Sequence, residues 1–238
     1  MSNNINIVLV NTSHPGNIGS TARAMKTMGL NKLSLVNPKY FPSEQATAQA
    51  VGCSDILNDA LLSSSLTNAI SDSQLVVGFS ARSRKSNIPS LSMSELMNLL
   101  KKYKNNKISI VFGNEQSGLT NNELLMCNYI VSIPTDDSYT SLNLSAAVQI
   151  FSYEYFMSNQ SNSSNILDKS EKLAPTLSKK HLIDEFISIM HSLEMISIKN
   201  RNSIIQNIHI IFNKTNFTEN EVNLYLGIIT KIKKAIKK

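Results

Sequence analysis

The sequence predicts an α/β protein: a parallel sheet with helices on both faces, followed by a small all-helical C-terminal part. Three observations lead there. Short runs such as Ile5–Val10 and Ile108–Phe112 are apolar almost throughout, the mark of strands covered on both faces. Helix-length stretches with apolar residues three and four apart separate those runs. After Met157 the composition turns polar and low in complexity over Ser158–Asn165, then basic and helix-periodic.

Taken in order, Ile5–Val10 is the first strand. Gly16-Asn17-Ile18-Gly19 reads as a turn, with Asn17 capping a helix that runs to about Met28 and ends at Gly29. Ile18, Ala22 and Met25 share one face of that helix, and Arg23 points away from it. Leu33–Val36, Leu75–Gly78, Ile108–Phe112 and Tyr129–Ile133 repeat the strand pattern, with a helix over Met93–Tyr103. Asn143–Met157 is a helix that lines up Leu144, Ala147, Val148, Phe151 and Tyr155. Ser178–Leu193, about Asn200–Phe212, and Thr218–Ile236 are three more helices, the last with Thr218 and Glu221 at capping-box spacing. The expected organisation is a sheet unit over residues 1–157, a polar linker over 158–175 and a basic helical unit over 176–238.

The 238 residues are ample for a buried core, and 42% hydrophobic with 17% charged residues is a globular composition. The net charge of +6 is uneven. Thr176–Lys238 holds ten basic and five acidic residues, whereas Met1–Pro175 holds thirteen and twelve. A basic end on a neutral body points to a polyanion, most often nucleic acid, or to a solubilising face. Two unpaired cysteines, Cys53 and Cys127, fit a reducing compartment. With no signal-peptide pattern and no membrane-length apolar run, a cytoplasmic location is expected.

In parallel α/β sheets, ligands bind beyond the carboxyl ends of the strands. No phosphate-cradling P-loop, dinucleotide glycine fingerprint or hydrolase nucleophile elbow occurs there. His14, His181, His191 and His209 show no metal-ligand spacing, so no metal is expected. Three dense segments follow strands instead. They are Asn17-Ile18-Gly19-Ser20-Thr21-Ala22-Arg23-Ala24, Phe112-Gly113-Asn114-Glu115-Gln116-Ser117-Gly118-Leu119, and Ser141-Leu142-Asn143-Leu144-Ser145-Ala146-Ala147. Each alone fits a helix cap or a glycine turn; in this order, after separate strands, they ask for a shared explanation.

The three segments resemble the three motifs of the SpoU/TrmH class of SPOUT RNA methyltransferases, over about Ile5–Phe156. Thr12–Gly19, Arg23–Leu30 and Ser80-Ala81-Arg82-Ser83-Arg84 are closest to the TrmJ type within that class, although that type tends to carry arginines around the glutamate matching Glu115. The resemblance implies a C-terminal trefoil knot in the sheet domain, a homodimer with the active site near its interface, and no metal. It implies S-adenosylmethionine as methyl donor, held by Phe79, Ser80, Ala81, Gly113, Ile133, Thr140, Ser141 and Leu142. It also implies tRNA as partner, with ribose 2′-O-methylation of a cytidine or uridine at the first anticodon-loop nucleotide (position 32). The alternatives are the same chemistry on another tRNA or rRNA site, or a non-catalytic RNA-binding module.

In that frame Arg23 is the central catalytic residue, either as base or as a cation beside the developing alkoxide. Asn17 and Asn143 orient the nucleotide or Arg23, and Glu115 orients Arg23 or receives the proton. Arg82 and Arg84, two guanidiniums on one loop, suit contact with RNA phosphates.

Overall fold

A computed structural model of the chain describes residues 4–81, 88–160, 172–196 and 200–236. Among them are β1 (Ile5–Val10), α1 (Pro15–Thr27), β2 (Lys32–Val36), α2 (Glu44–Ala50), α3 (Ser54–Asn58), β3 (Leu61–Ser63) and α4 (Leu66–Ala69). β4 (Leu75–Phe79), β5 (Ser90–Leu91), α5 (Met93–Lys102), β6 (Ile108–Phe112), α6 (Asn121–Leu124), β7 (Tyr129–Val131) and α7 (Leu144–Gln160) follow. α8 (Thr176–Ser192), α9 (Arg201–Lys214) and α10 (Glu219–Ile236) complete the chain.

The seven strands form one sheet in the order β3-β2-β1-β6-β4-β7-β5, and every pairing is parallel. Leu33, Ile7, Ile110 and Val77 fall side by side across four strands. They belong to a core shared with α1, α2, α5 and α7 through Met25, Ala46, Leu96 and Phe151. Their neighbours Val8, Val76 and Val111 point to the opposite face, where Leu66 of α4 and Leu124 of α6 cover them. The apolar strands are therefore covered on both faces, as their continuous hydrophobicity requires. The order also sets β1, β6, β4 and β7 side by side, so the loops leaving their carboxyl ends are neighbours.

Two local expectations change. The stretch Gly16–Gly19 is helical rather than a turn, because α1 starts at Pro15, whose fixed φ and missing N–H suit a first helical position. His14, not Asn17, caps it, its ring nitrogen Nδ1 accepting from the Gly16 N–H at 3.2 Å. Gly19 then lies inside α1 where α2 crosses it: a Cβ there would sit 2.1 Å from the Ala46 carbonyl oxygen.

The three C-terminal helices share a cluster of Leu182, Ile189, Val222 and Ile229 with Phe186, Phe212 and Phe217. The Thr218–Glu221 capping box forms, with the Thr218 N–H donating to Glu221 at 2.7 Å and the Glu221 N–H returning to the Thr218 hydroxyl. The polar stretch ahead of α8 is packed at its end. Leu173 and Ala174 are buried, and the Leu173 N–H donates to Asn106 at 2.8 Å. The helices dock on the sheet unit through polar groups: Thr176 N–H to the Ser73 carbonyl (2.7 Å), Lys179 Nζ to the Gln74 carbonyl (3.0 Å), and Asn213 Nδ2 to the Leu125 carbonyl (2.6 Å).

Candidate active site

A cavity of about 340 Å³ opens at the carboxyl ends of β4, β6 and β7, within the roughly 300–1,000 Å³ usual for small-molecule sites. All eight residues expected to hold the methyl donor line it. Phe79, Ser80 and Ala81 come from the end of β4, Gly113 from the end of β6, and Ile133, Thr140, Ser141 and Leu142 from the β7–α7 connection. The Phe79 ring stacks on Phe112 at 4.7 Å and meets Phe151 edge-on at 5.6 Å. The Ser80 N–H donates to the Val131 carbonyl at 3.0 Å and joins the β4 end to β7.

The β6 loop closes tightly on itself. Gly118 has φ +66° and donates its N–H to the Asn114 carbonyl at 2.8 Å. A Cβ on Gly113 would lie 2.2 Å from the backbone of Gly118 and of Leu119, so only glycine fits there.

Glu115 is the one ionisable side chain among the described residues lining the cavity. Its Oε2 accepts from the Ser13 N–H (3.0 Å) and the Ser13 hydroxyl (2.9 Å). Its Oε1 accepts from Asn17 Nδ2 (2.9 Å) and the His14 N–H (3.3 Å). Desolvation pushes this carboxyl up, and the bonds from Asn17 and Ser13 outweigh it, holding it below the usual carboxylate range. Asn17 passes the connection on: its Oδ1 accepts from Asn143 Nδ2 at 3.0 Å. Asn143 Oδ1 in turn accepts from the Ser145 N–H (2.9 Å) and the Ala146 N–H (3.4 Å), capping α7. One chain of hydrogen bonds, Glu115–Asn17–Asn143, thus ties the three dense segments together.

Arg23 stands outside that chain. It is exposed on α1, and its side chain makes no hydrogen bond or ion pair among the described residues. Arg82 and Arg84 lie outside the described residues. Ser13 and His14 escaped the sequence reading as partners of Glu115; their sequence separation of about a hundred residues leaves no local signal. Among the described residues no group of three or more His, Cys, Asp or Glu side chains is placed to hold a metal. None of the described helices is long and apolar enough to cross a membrane.

A parallel α/β sheet with a closed glycine loop and a small-molecule cavity at its strand ends defines a class: a ligand-binding α/β enzyme. Comparison with known proteins narrows the class to a family. The model of the SpoU rRNA methylase family matches residues 4–153, and the chain belongs to that family. A Haemophilus influenzae protein, named an uncharacterized tRNA/rRNA methyltransferase, is 40% identical over 99% of this chain and 97% of its own. The tRNA (cytidine/uridine-2′-O-)-methyltransferase TrmJ of Yersinia enterocolitica is 39% identical, covering 98% and 93%. Among solved structures, TrmJ from Z. mobilis superposes with a TM-score of 0.85 at 23% identity, covering 96% of this chain and 98% of that one. A probable methylase family protein from Haemophilus influenzae gives 0.65 at 37% identity, covering 100% and 99%.

Proposed function

We propose that this chain is an S-adenosylmethionine-dependent tRNA (cytidine/uridine-2′-O-)-methyltransferase acting at the first anticodon-loop nucleotide, position 32. One observation carries the reading. The loops after three strands converge on one cavity, and Glu115, Asn17 and Asn143 bind the three family segments into a single frame around it. The full-length likeness to TrmJ enzymes supports the substrate.

The residues present suit the methyl donor. Phe79, Ile133, Leu142 and Ala147 offer apolar walls, Gly113 and Ser80 bring backbone close, and the sole lining charge among the described residues is a carboxylate, which favours a cation. S-adenosylmethionine, when bound, supplies a methyl group already activated by its sulfonium, so the protein needs to orient a ribose 2′-hydroxyl, exclude water and manage one proton. Both Glu115 oxygens are held by donors, which gives this residue a positioning role. The Arg23 guanidinium is free to stabilise the developing alkoxide or to grip the adjacent phosphate.

Family membership supports three further parts of the reading: the trefoil knot in the sheet domain, the homodimer, and the division into a methyltransferase unit to residue 157 and a basic helical unit from 176. For the dimer, exposed Tyr153 and Met157 leave part of α7 uncovered, and a partner seated there would enclose the site. Arg82, Arg84 and the C-terminal net charge of +5 supply phosphate contacts, and a tRNA substrate sets the work in the cytoplasm. The same chemistry on rRNA is the second reading, favoured by the family's description.

The test is separate incubation of unmodified tRNA and of unmodified rRNA with S-adenosylmethionine, then site-resolved nucleoside mass spectrometry. A ribose-methylated pyrimidine at position 32 is expected. Methylation of rRNA alone selects the second reading, and a protein that binds no donor refutes both.

A further inference from the structure

The β7–α7 connection leaves the cavity wall at Ile133 and returns to it at Thr140. Asp136 shapes the part between. Its carboxylate accepts from the Ser138 N–H at 2.9 Å and from the Ser138 hydroxyl, and its carbonyl accepts from the Tyr139 N–H at 3.1 Å. This turn presents Tyr139 directly before the cavity-lining run Thr140–Leu142. Tyr139 is 76% exposed, the most of any large apolar residue among those described. No other ring stacks on it and its hydroxyl has no partner among those residues. The ring therefore gains little of the burial that an aromatic side chain normally supplies to a fold.

A solvent-facing aromatic one residue from the wall of a ligand cavity suits an unstacked nucleobase, because every base has a π-face. We propose that Tyr139 is a substrate-contact residue: the base of the nucleotide whose ribose enters the site stacks on its ring. This rests on the RNA-methylating reading above. It also accounts for tolerance of either pyrimidine. Stacking is indifferent to the base edge, whereas hydrogen bonds to that edge would distinguish cytidine from uridine.

The test compares Tyr139→Ala, Tyr139→Phe and Tyr139→Leu in the full-length protein. Removing the ring should raise KM for tRNA by about 5- to 150-fold, the usual cost of losing one base–aromatic stack. Phenylalanine restores KM to within about twofold of the parent, and leucine, with bulk but no ring, does not. Affinity for S-adenosylmethionine, measured by titration, stays unchanged. So does the slope of log KM against log salt, because no phosphate contact is lost. The proposal is overturned if Tyr139→Ala leaves KM unaltered, if leucine rescues as well as phenylalanine, or if donor affinity falls in parallel. A parent protein that binds no donor or leaves tRNA unmodified overturns the functional reading itself, a separate result visible before any variant is made.

Discussion

Exchanging Glu115 for glutamine keeps the side chain's shape and removes its charge and one acceptor oxygen. Each carboxylate oxygen now takes two donors, Ser13 N–H and hydroxyl on Oε2, Asn17 Nδ2 and His14 N–H on Oε1. In either orientation of the amide, an NH2 group faces two other donors. A hydrogen bond to a charged group contributes about 1.5–3 kcal/mol, and water reaches this half-buried site to replace part of it. The expected loss is about 2–3 kcal/mol, divided between folding stability and donor affinity. Urea unfolding and calorimetric titration of S-adenosylmethionine on both proteins measure the two shares. The pH dependence has a definite sign. The folded carboxyl titrates below its ordinary value of 4.5, so its stabilisation is complete above that value and is lost as pH falls through the lower folded one. The difference between parent and Glu115→Gln should shrink over that acid range. Equal stability and equal donor affinity at pH 7 would refute the idea that this carboxylate assembles the site.

Other perturbations follow from the same geometry. Asn17→Ala and Asn143→Ala remove adjacent links of one chain, so their combined effect on donor affinity should differ from additivity by about 1 kcal/mol in a double-mutant cycle. In Gly113→Ala the new Cβ meets backbone at 2.2 Å and forces the Gly113–Gly118 loop open; we expect about 1–3 kcal/mol lower stability by urea unfolding and loss of donor binding. Arg23→Ala should fold and bind the donor as the parent does, with methyl transfer to tRNA abolished in a radiolabel assay. Burial pushes the Lys179 ammonium down to about 8 from 10.5, so the folded state releases this proton first and stability should rise between those pH values. Lys179→Met should flatten that rise in urea midpoints and raise stability near pH 7, by up to about 3 kcal/mol.

The long strands and helices were legible because their signal is local. β1, β4 and β6 are apolar almost throughout, and α5, α7 and α10 repeat their apolar residues at helical spacing. What escaped depends on partners distant in sequence. α2, Glu44–Ala50, is a short alanine-rich segment whose place is set by its crossing over Gly19. β3 and β5 are edge strands of three and two residues, too short for a period to show. The start of α1 was misplaced because histidine is not among the usual capping residues. In the site, the segments were visible from their composition and order after strands. The Glu115–Asn17–Asn143 chain was not, since its members are 98 and 126 residues apart.

What fills the cavity between Gly113, Ile133 and Leu142 decides the function. Calorimetric titration of S-adenosylmethionine into the purified parent protein and into Ala147→Trp, which fills the cavity from α7, tests this directly. Saturable binding to the parent and at least about a hundredfold weaker binding to a folded Ala147→Trp are expected. No binding to the parent, or equal affinity in both proteins, would contradict it.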